Sequence, residues 1–306
     1  MQIKTPISLF IFNRPNQTMR VFQAIRDIKP STLFVIADGP RPHKKDEKIE
    51  CERARSIVKL IDWPCVVRTQ FSKKNLGCKT RIVSGLNWLF SQVDECIILE
   101  DDCLPHKDFF RFAEAMLEQY RHNYDVGIIS GNNLIADQTT DFPDSYYFSN
   151  IPHMWGWASW KRVWQNYQVK PKNLNYDIES GALKKMIPSY LDYPFWEKRL
   201  IATYEGNIDT WDYQFAYMMW KHHFLSVVPK VNLVTNIGFG PGATFTKFDD
   251  RQSSLPLAAM GGLIKHPPQV RVDLRLDQSE VRSYRPLTFL QKIIKLITYY
   301  WKLLRS

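Results

Sequence analysis

The sequence predicts an α/β fold, in which helices cover both faces of a mostly parallel sheet. Two observations carry this prediction. Four short apolar runs alternate with helix-like segments in the first third of the chain, and parallel neighbours need the long crossovers that such segments supply. The chain of 306 residues is also long enough to bury the large core that this architecture requires.

The elements follow from hydrophobic periodicity and from turn residues. The predicted strands are residues 7–12, 32–37, 65–68, 96–99, 126–130 and 225–232. Helices are expected after the turn at residues 13–16, within the charged segment 46–61, and from Lys79 onward. No GxGxxG motif follows the first strand and no P-loop motif occurs, so a dinucleotide site and a P-loop both lack support.

An acidic triplet, Glu100, Asp101 and Asp102, directly follows the apolar run 96–99. Aromatic and apolar residues then recur at helical spacing from Phe109, so the acids occupy a strand-to-helix loop. Ligands of open α/β sheets bind outside the carboxyl ends of the strands. Because crowded carboxylates repel one another, a divalent cation with its polyphosphate explains the triplet best. The alternative is a solvated loop.

Three further segments carry candidate chemistry. The first is the run GWASW with the residue before it, which together contain three tryptophans. Tryptophan faces either stack on sugars or fill cores. We take Trp155 and Trp157 of this segment, together with Trp211 farther along the chain, as acceptor-binding candidates. Asp212 begins an aromatic helix, where an acid is either a cap or a general base. The glycine-rich run 236–244 either covers a phosphate-bearing ligand or forms ordinary turns.

Composition bounds the class of protein. With 44% hydrophobic and 24% charged residues the chain is globular. Its five cysteines show no CxxC spacing, which predicts reduced, packing thiols. The sequence has no run of eighteen apolar residues and no signal-peptide pattern, so we expect a cytoplasmic protein. The net charge of +10 indicates a polyanionic partner: nucleic acid, anionic lipid or nucleoside diphosphate.

A basic amphipathic segment spans residues 287–304. Lys292, Lys295 and Lys302 recur against apolar residues at helical spacing, with Arg305 just beyond. This pattern is typical of a helix lying on an anionic membrane, which predicts a peripheral position on the inner face of the cell membrane. The alternative is a terminal helix docked on the protein's own core.

Several motifs together carry a family resemblance. They are IFNRP, Ala37-Asp38-Gly39, LEDDCLPHKDFFRF, GWASW and TWDYQF, within residues 5–250. On these motifs the chain resembles GT-A type nucleotide-sugar glycosyltransferases, above all the family of the mannosyl-glycoprotein N-acetylglucosaminyltransferase and its bacterial relatives. The most specific of them is the acidic triplet EDD, followed after six residues by paired phenylalanines.

The resemblance implies a GT-A fold, a UDP-sugar donor and a Mn²⁺ or Mg²⁺ ion held by Asp102. It places Asp101 and Glu100 near the ribose and the donor sugar, and Arg14 and Asp38 at the nucleotide. It makes Asp212 the catalytic base. The sequence departs from the family at Tyr213, where the family has a second acid, and at Phe245, where bacterial relatives have a histidine.

The leaving nucleoside diphosphate also needs its developing charge neutralised. Arg14, Lys79 and Arg81 are the basic candidates for that role beside the metal ion. We expect three regions: a nucleotide-sugar-binding half at 1–131, an acceptor-binding and catalytic-base half of the same GT-A domain at 132–285, and the membrane-associating helix at 286–306.

The predicted function is transfer of a sugar, N-acetylglucosamine or another hexose, from a UDP-sugar to a glycan or lipid-linked glycan acceptor in surface polysaccharide synthesis. Inversion is expected. One alternative is a basic nucleic-acid-binding protein, although the positive charge is spread along the chain and no binding motif occurs, so no nucleic acid partner is expected. The other is a metal-dependent phosphoesterase, which usually needs clustered histidines.

Overall fold

The computed structural model describes residues 3–189, 192–239 and 255–284. Within these ranges the strands are β1 (Ile7–Ile11), β2 (Thr32–Ala37), β3 (Val66–Phe71), β4 (Glu95–Glu100), β5 (Cys103–Pro105), β6 (Val126–Ser130), β7 (Tyr146–Ser149), β8 (Trp157–Trp160), β9 (Leu225–Pro229) and β10 (Val234–Asn236). The helices are α1 (Pro15–Ile28), α2 (Glu47–Arg55), α3 (Cys78–Phe90), α4 (Lys107–Gln119), α5 (Lys161–Trp164), α6 (Leu174–Glu179), α7 (Ala182–Met186), α8 (Tyr193–Tyr204), α9 (Asp212–Lys221) and α10 (Leu274–Tyr284), with 3-10 turns at Ser56–Leu60 and Ala136–Gln138.

Eight strands form one sheet in the order β3-β2-β1-β4-β8-β6-β9-β7. Strands β3, β2, β1 and β4 are mutually parallel, β6 and β9 run in the same direction as these, and β8 and β7 are antiparallel. Each of the six parallel strands falls on one of the six predicted runs, which confirms the α/β fold with a mostly parallel sheet. The short β8 was not predicted, because its four residues lie in the aromatic segment whose rings indicated stacking or packing.

Helices cover both faces of the sheet. Phe10 and Ile36 face α3, where each would lie within 2.8 Å of a Cβ added at Gly85. Alternate strand residues point to opposite faces, so Leu9 and Val35 are buried on the face opposite α3. The central strands β1 and β2 are therefore buried on both faces, as parallel sheets require.

Two more sequence predictions bear on the fold. All five cysteines are unpaired, as predicted. Strands from the two predicted halves of the chain share one sheet, since β4 pairs with β8.

The basic segment 287–304, Phe245 and most of the glycine-rich run lie outside the described residues. No helix in the described ranges is long and apolar enough to cross a membrane.

Helix α10 is anchored to the sheet by buried ionisable groups. Glu280 is 1% exposed and its carboxylate lies 2.9 Å from Nε2 of His153. Asp277 accepts hydrogen bonds from the Ser149 hydroxyl at 2.6 Å and the Asn150 N–H at 3.0 Å. Burial by itself lowers the pKa of His153, but the Glu280 carboxylate outweighs it and the net pKa is raised. The Glu280 carboxylate therefore favours the protonated form of His153 in the folded protein.

This pair predicts a pH-dependent stability. Folding raises the pKa of His153, so protonation of His153 stabilises the folded protein. This contribution to the free energy of unfolding is complete below about pH 6.5 and is lost as pH rises through the raised pKa. The free energy of unfolding, measured in urea, should fall as pH rises from about 6.5 through the raised pKa of His153. Glu280→Gln should flatten this fall, whereas Glu179→Gln, an exposed control on α6, should leave it unchanged. An equal slope in Glu280→Gln would contradict the assignment.

Candidate active site

The carboxyl ends of β1, β2 and β4 meet at one edge of the sheet. In the parallel register, Phe10 lies beside Glu100, and Ile11 lies beside Ala37. Arg14 follows β1, Asp38 follows β2, and the acidic triplet spans the end of β4. The sheet thus brings together side chains that are far apart in the sequence, at the edge where open α/β sheets bind ligands.

Two acids of the triplet, Asp101 and Asp102, have different partners. One carboxylate oxygen of Asp101 accepts the Phe12 N–H at 3.0 Å. Oδ2 of Asp102 accepts a hydrogen bond from Nη1 of Arg14 at 2.6 Å. The same nitrogen lies 3.9 Å from Oδ1 of Asp101. Both side chains of the Arg14–Asp102 pair are 19% exposed. The triplet is therefore tied to the β1–α1 turn but retains contact with solvent.

Crowding strongly affects the ionisation of the triplet. Burial, followed by the charges of Asp102, Asp101 and Asp212, raises the pKa of Glu100 to about 8. Burial and the charge of Asp102 raise the pKa of Asp101 to about 7, against the opposing effects of Arg14 and the Phe12 N–H. These carboxylates disfavour one another's ionised form, so a cation placed among them would be strongly attracted.

The donor set fits one kind of divalent cation. Within the described residues, no group of three or more His, Cys, Asp or Glu side chains could hold a metal ion by itself. Mg²⁺ and similar ions are commonly bound by one or two carboxylates, with water and substrate phosphates as the other ligands. The partly exposed Asp102 at the mouth of the sheet suits that mode, and a closed protein cage is not required.

Asp38 holds a neighbouring loop. Its carboxylate accepts hydrogen bonds at 2.8 to 3.2 Å from three backbone N–H groups and one side-chain amide, which belong to Gly39, Leu76, Gly77 and Asn75. Burial raises its pKa, while these backbone donors lower it. The structure thus uses Asp38 to connect β2 with the turn before α3; contact with a nucleotide remains a prediction.

Asp209 caps α3 from a distant part of the chain. Its carboxylate accepts the Cys78 N–H at 2.9 Å and the Lys79 N–H at 3.3 Å. Gly77 has a φ of 79°, and a Cβ there would lie 2.5 Å from Asp209 Oδ2, so only glycine fits. This cap is not visible in the local sequence, because a capping residue normally lies immediately before its helix and Asp209 lies 131 positions away.

Loss of this cap should destabilise the protein. Asp209→Ala leaves two helix N–H groups without their acceptor and should lower the free energy of unfolding by about 1 kcal/mol. Asp209→Asn keeps one acceptor oxygen, so its free energy of unfolding should fall by less than that of Asp209→Ala. Urea unfolding of the two variants provides the measurement, and equal stability of wild type and Asp209→Ala would show that the cap contributes nothing.

Asp212 is the first residue of α9 and lies close to the triplet. Its Oδ1 accepts the Thr210 hydroxyl and the Tyr213 N–H, the latter at 2.9 Å. Burial raises its pKa although these donors oppose the shift. Its negative charge contributes to the raised pKa values of Glu100 and of the Cys78 thiol. The fold therefore brings an acid from the second half of the chain to the acids of the first.

The other predicted basic residues point elsewhere. Lys79 donates from Nζ to the Thr203 carbonyl at 3.3 Å, toward α8. Arg81 is 6% exposed and donates to Gln70 on β3. Burial lowers the pKa of Arg81, and the charge of Asp38 raises it. Of the three predicted cations, Arg14 is the one that contacts the triplet here.

The three candidate tryptophans have different environments. Trp157 and Trp211 are 1% and 4% exposed, and their rings stack with centroids 5.8 Å apart. Trp155 is partly exposed and meets Phe239 edge to face, with centroids 5.8 Å apart. Trp157 and Trp211 thus fill the core beneath the site, and Trp155 has surface for a ligand.

The start of the glycine-rich run closes over the triplet. Strand β10 pairs with β5, and the Ile237 N–H donates to the Asp102 carbonyl at 2.7 Å. A Cβ added at Gly238 would overlap Oδ2 of Asp102 and lie 2.8 Å from Nη1 of Arg14. The glycine content of this run predicts a phosphate cover or a turn, but it does not predict the contact with Asp102.

No protein-family model matches the chain, and no curated protein matches it either. Among solved structures it is similar to the mannosyltransferase PcManGT from Pyrobaculum calidifontis, solved with GDP-Man and Mn²⁺, at 12% identity and a TM-score of 0.34 over 53% of this chain and 46% of that one. It is also similar to 4-diphosphocytidyl-2C-methyl-D-erythritol synthase from Anaerococcus prevotii DSM 20548, at 10% identity and a TM-score of 0.32 over 58% of this chain and 84% of that one. A third similar structure is a UDP-glucose pyrophosphorylase complexed with UDP-glucose, at 8% identity and a TM-score of 0.26 over 47% of this chain and 62% of that one. The chain spans less than half the length of the mannosyltransferase.

Proposed function

We propose that the protein is a metal-dependent, inverting glycosyltransferase that moves a sugar from a UDP-sugar to a glycan or lipid-linked acceptor. One observation carries the proposal: Arg14 and the acids Glu100, Asp101 and Asp102 meet at the carboxyl ends of the parallel strands, with Asp212 reaching them from α9. This arrangement offers a cationic group and a metal ligand for a diphosphate, and a separate acid for an acceptor.

The proposed roles follow from the chemistry of each group. Asp102 would hold a divalent ion, which when bound supplies electrostatic stabilisation for the leaving diphosphate. Arg14 can bind phosphate oxygens through its planar guanidinium. Asp212 would take the proton from the acceptor hydroxyl, because its raised pKa suits a general base and its Oδ1 is held by Thr210 and Tyr213.

A single base favours inversion. One carboxylate that activates the acceptor leads to a single displacement, whereas retention by a covalent route needs a second carboxylate as nucleophile. Trp155, whose ring is partly exposed beside Phe239, would provide a face for the acceptor sugar. The packing of Trp157 and Trp211 would support that segment from below.

A thermal-shift panel tests the proposal. Nucleotide sugars are added singly with Mn²⁺, with Mn²⁺ and EDTA, or without metal. A bound donor at a hundredfold excess over its dissociation constant stabilises the folded state by about 2.7 kcal/mol. We expect UDP-sugars to raise the melting temperature in the presence of Mn²⁺ and not with EDTA. If no nucleotide sugar has this effect, the proposed function is wrong.

The basic segment 287–304 gives a separate prediction about location. Each lysine near an anionic surface contributes about 1 kcal/mol, so Lys292, Lys295 and Lys302 should add to apolar insertion. Deleting residues 287–306 should release the protein from anionic vesicles in a sedimentation assay and leave transfer to a soluble acceptor intact. An unfolded or insoluble truncation would instead favour docking of this segment on the core.

A further inference from the structure

We propose that Arg14 is an internal counter-ion that occupies Asp102 until a nucleoside diphosphate arrives, so that metal and nucleotide bind together and the metal alone binds poorly. This inference rests on the proposed function, because it assigns Asp102 to the metal. It concerns the order in which the groups bind, which the proposed reaction by itself leaves open.

The geometry places Arg14 on one of the two carboxylate oxygens through which Asp102 would hold the metal. Nη1 of Arg14 lies 2.6 Å from Oδ2 of Asp102 and 3.9 Å from Oδ1 of Asp101. A second cation on the same oxygen would be repelled by the guanidinium at close range. The metal and Arg14 therefore compete for Asp102.

The surrounding backbone leaves little room for both cations. Gly238 packs against this pair so closely that a Cβ would overlap Oδ2 of Asp102 and lie 2.8 Å from Nη1 of Arg14. The loop is held there, because the Ile237 N–H donates to the Asp102 carbonyl at 2.7 Å. Space for a metal ion at Oδ2 of Asp102 therefore depends on Arg14 moving away from that oxygen.

Arg14 can move without a change in the fold. Its carbonyl accepts the Thr18 N–H at 2.9 Å and the Thr18 hydroxyl at 2.7 Å, so the backbone is fixed at the start of α1. The side chain beyond it is long, partly exposed and joined by rotatable bonds. Rotation of the side chain alone can carry the guanidinium from the carboxylate to a nearby ligand.

A diphosphate supplies the reason for that movement. Diphosphate oxygens, like carboxylate oxygens, accept hydrogen bonds from a guanidinium group. They can also complete the coordination of a divalent ion. Arg14 thereby exchanges one anion for another, and Asp102 becomes available to the metal. Metal and nucleotide should raise each other's affinity by the same factor, because such coupling is reciprocal.

The test is Mn²⁺ binding followed by electron paramagnetic resonance, with and without UDP, in the full chain. In wild type we expect weak binding of Mn²⁺ alone and a gain in affinity on adding UDP. Arg14→Met should bind Mn²⁺ alone tighter by about tenfold, within the usual range of couplings, and gain much less from UDP. Arg20→Met, which removes an exposed charge from α1, the helix that Arg14 precedes, is the matched control and should behave as wild type.

The outcomes separate the two proposals. If Arg14→Met binds Mn²⁺ alone no more tightly than wild type, while wild type still binds Mn²⁺ with UDP, the counter-ion role is wrong and the proposed function stands. If wild type binds no Mn²⁺ even with UDP, both proposals fail. Arg14→Lys guards against misfolding of the methionine variant: it retains the competing charge, so weak binding of Mn²⁺ alone should persist, and tight binding would overturn the counter-ion role.

Discussion

Asp212→Asn should lower the turnover number by about two to four orders of magnitude and leave UDP-sugar affinity nearly unchanged, because the amide removes a general base from the chemical step and not from ground-state binding. Turnover is measured by single-turnover transfer, and affinity by calorimetry. Thr210→Val removes a hydrogen bond that holds the Asp212 carboxylate and should give a smaller loss. If affinity falls together with rate, Asp212 supports the site and is not its base.

The same residue gives a pH dependence. The base must be ionised to accept a proton, and burial raises the pKa of Asp212 above the usual value for an aspartate. The turnover number should therefore decline as pH falls through that raised value. The decline should be absent from the residual activity of Asp212→Asn.

Asp102→Ala should abolish Mn²⁺-dependent transfer and Mn²⁺ binding in the presence of UDP. The fold should survive, since the side chain lies at a strand end and is 19% exposed. Circular dichroism checks that the variant is folded. Electron paramagnetic resonance, with and without UDP, measures its Mn²⁺ binding. Near-normal turnover with Mn²⁺ in this variant would rule out Asp102 as the metal ligand.

Glu118→Ala is the matched control for that variant. Glu118 lies on α4, and its carboxylate pairs with Arg121 in an exposed ion pair on the protein surface. Exposed pairs of this kind contribute less than about 1 kcal/mol to stability. The control should therefore retain both Mn²⁺ binding and transfer.

Several features were predictable because their causes are local. Five of the six parallel strands are mainly apolar and buried, which leaves them visible in the sequence. Strand β3 is an exposed edge strand of mixed sequence. The acidic triplet could be placed at the end of β4 because charges end a buried strand. The unpaired cysteines were likewise predictable from their spacing.

Other features depended on which elements became neighbours in space. The pairing of Arg14 with Asp102 joins residues 88 positions apart and arises because β1 and β4 are adjacent in the sheet. The capping of α3 by Asp209 spans 131 positions. Both contacts require the sheet order, which short-range periodicity does not encode.

The tryptophans show the limit of composition most clearly. Trp155 and Trp157 are two residues apart, yet one is partly exposed beside Phe239 and the other is buried against Trp211. The sequence by itself determined the six parallel strands, the helices that follow the first four of them and an acidic strand end. Only the tertiary structure decided which rings and charges face the site, because a side chain's environment is set by the elements that pack against it and not by its neighbours along the chain.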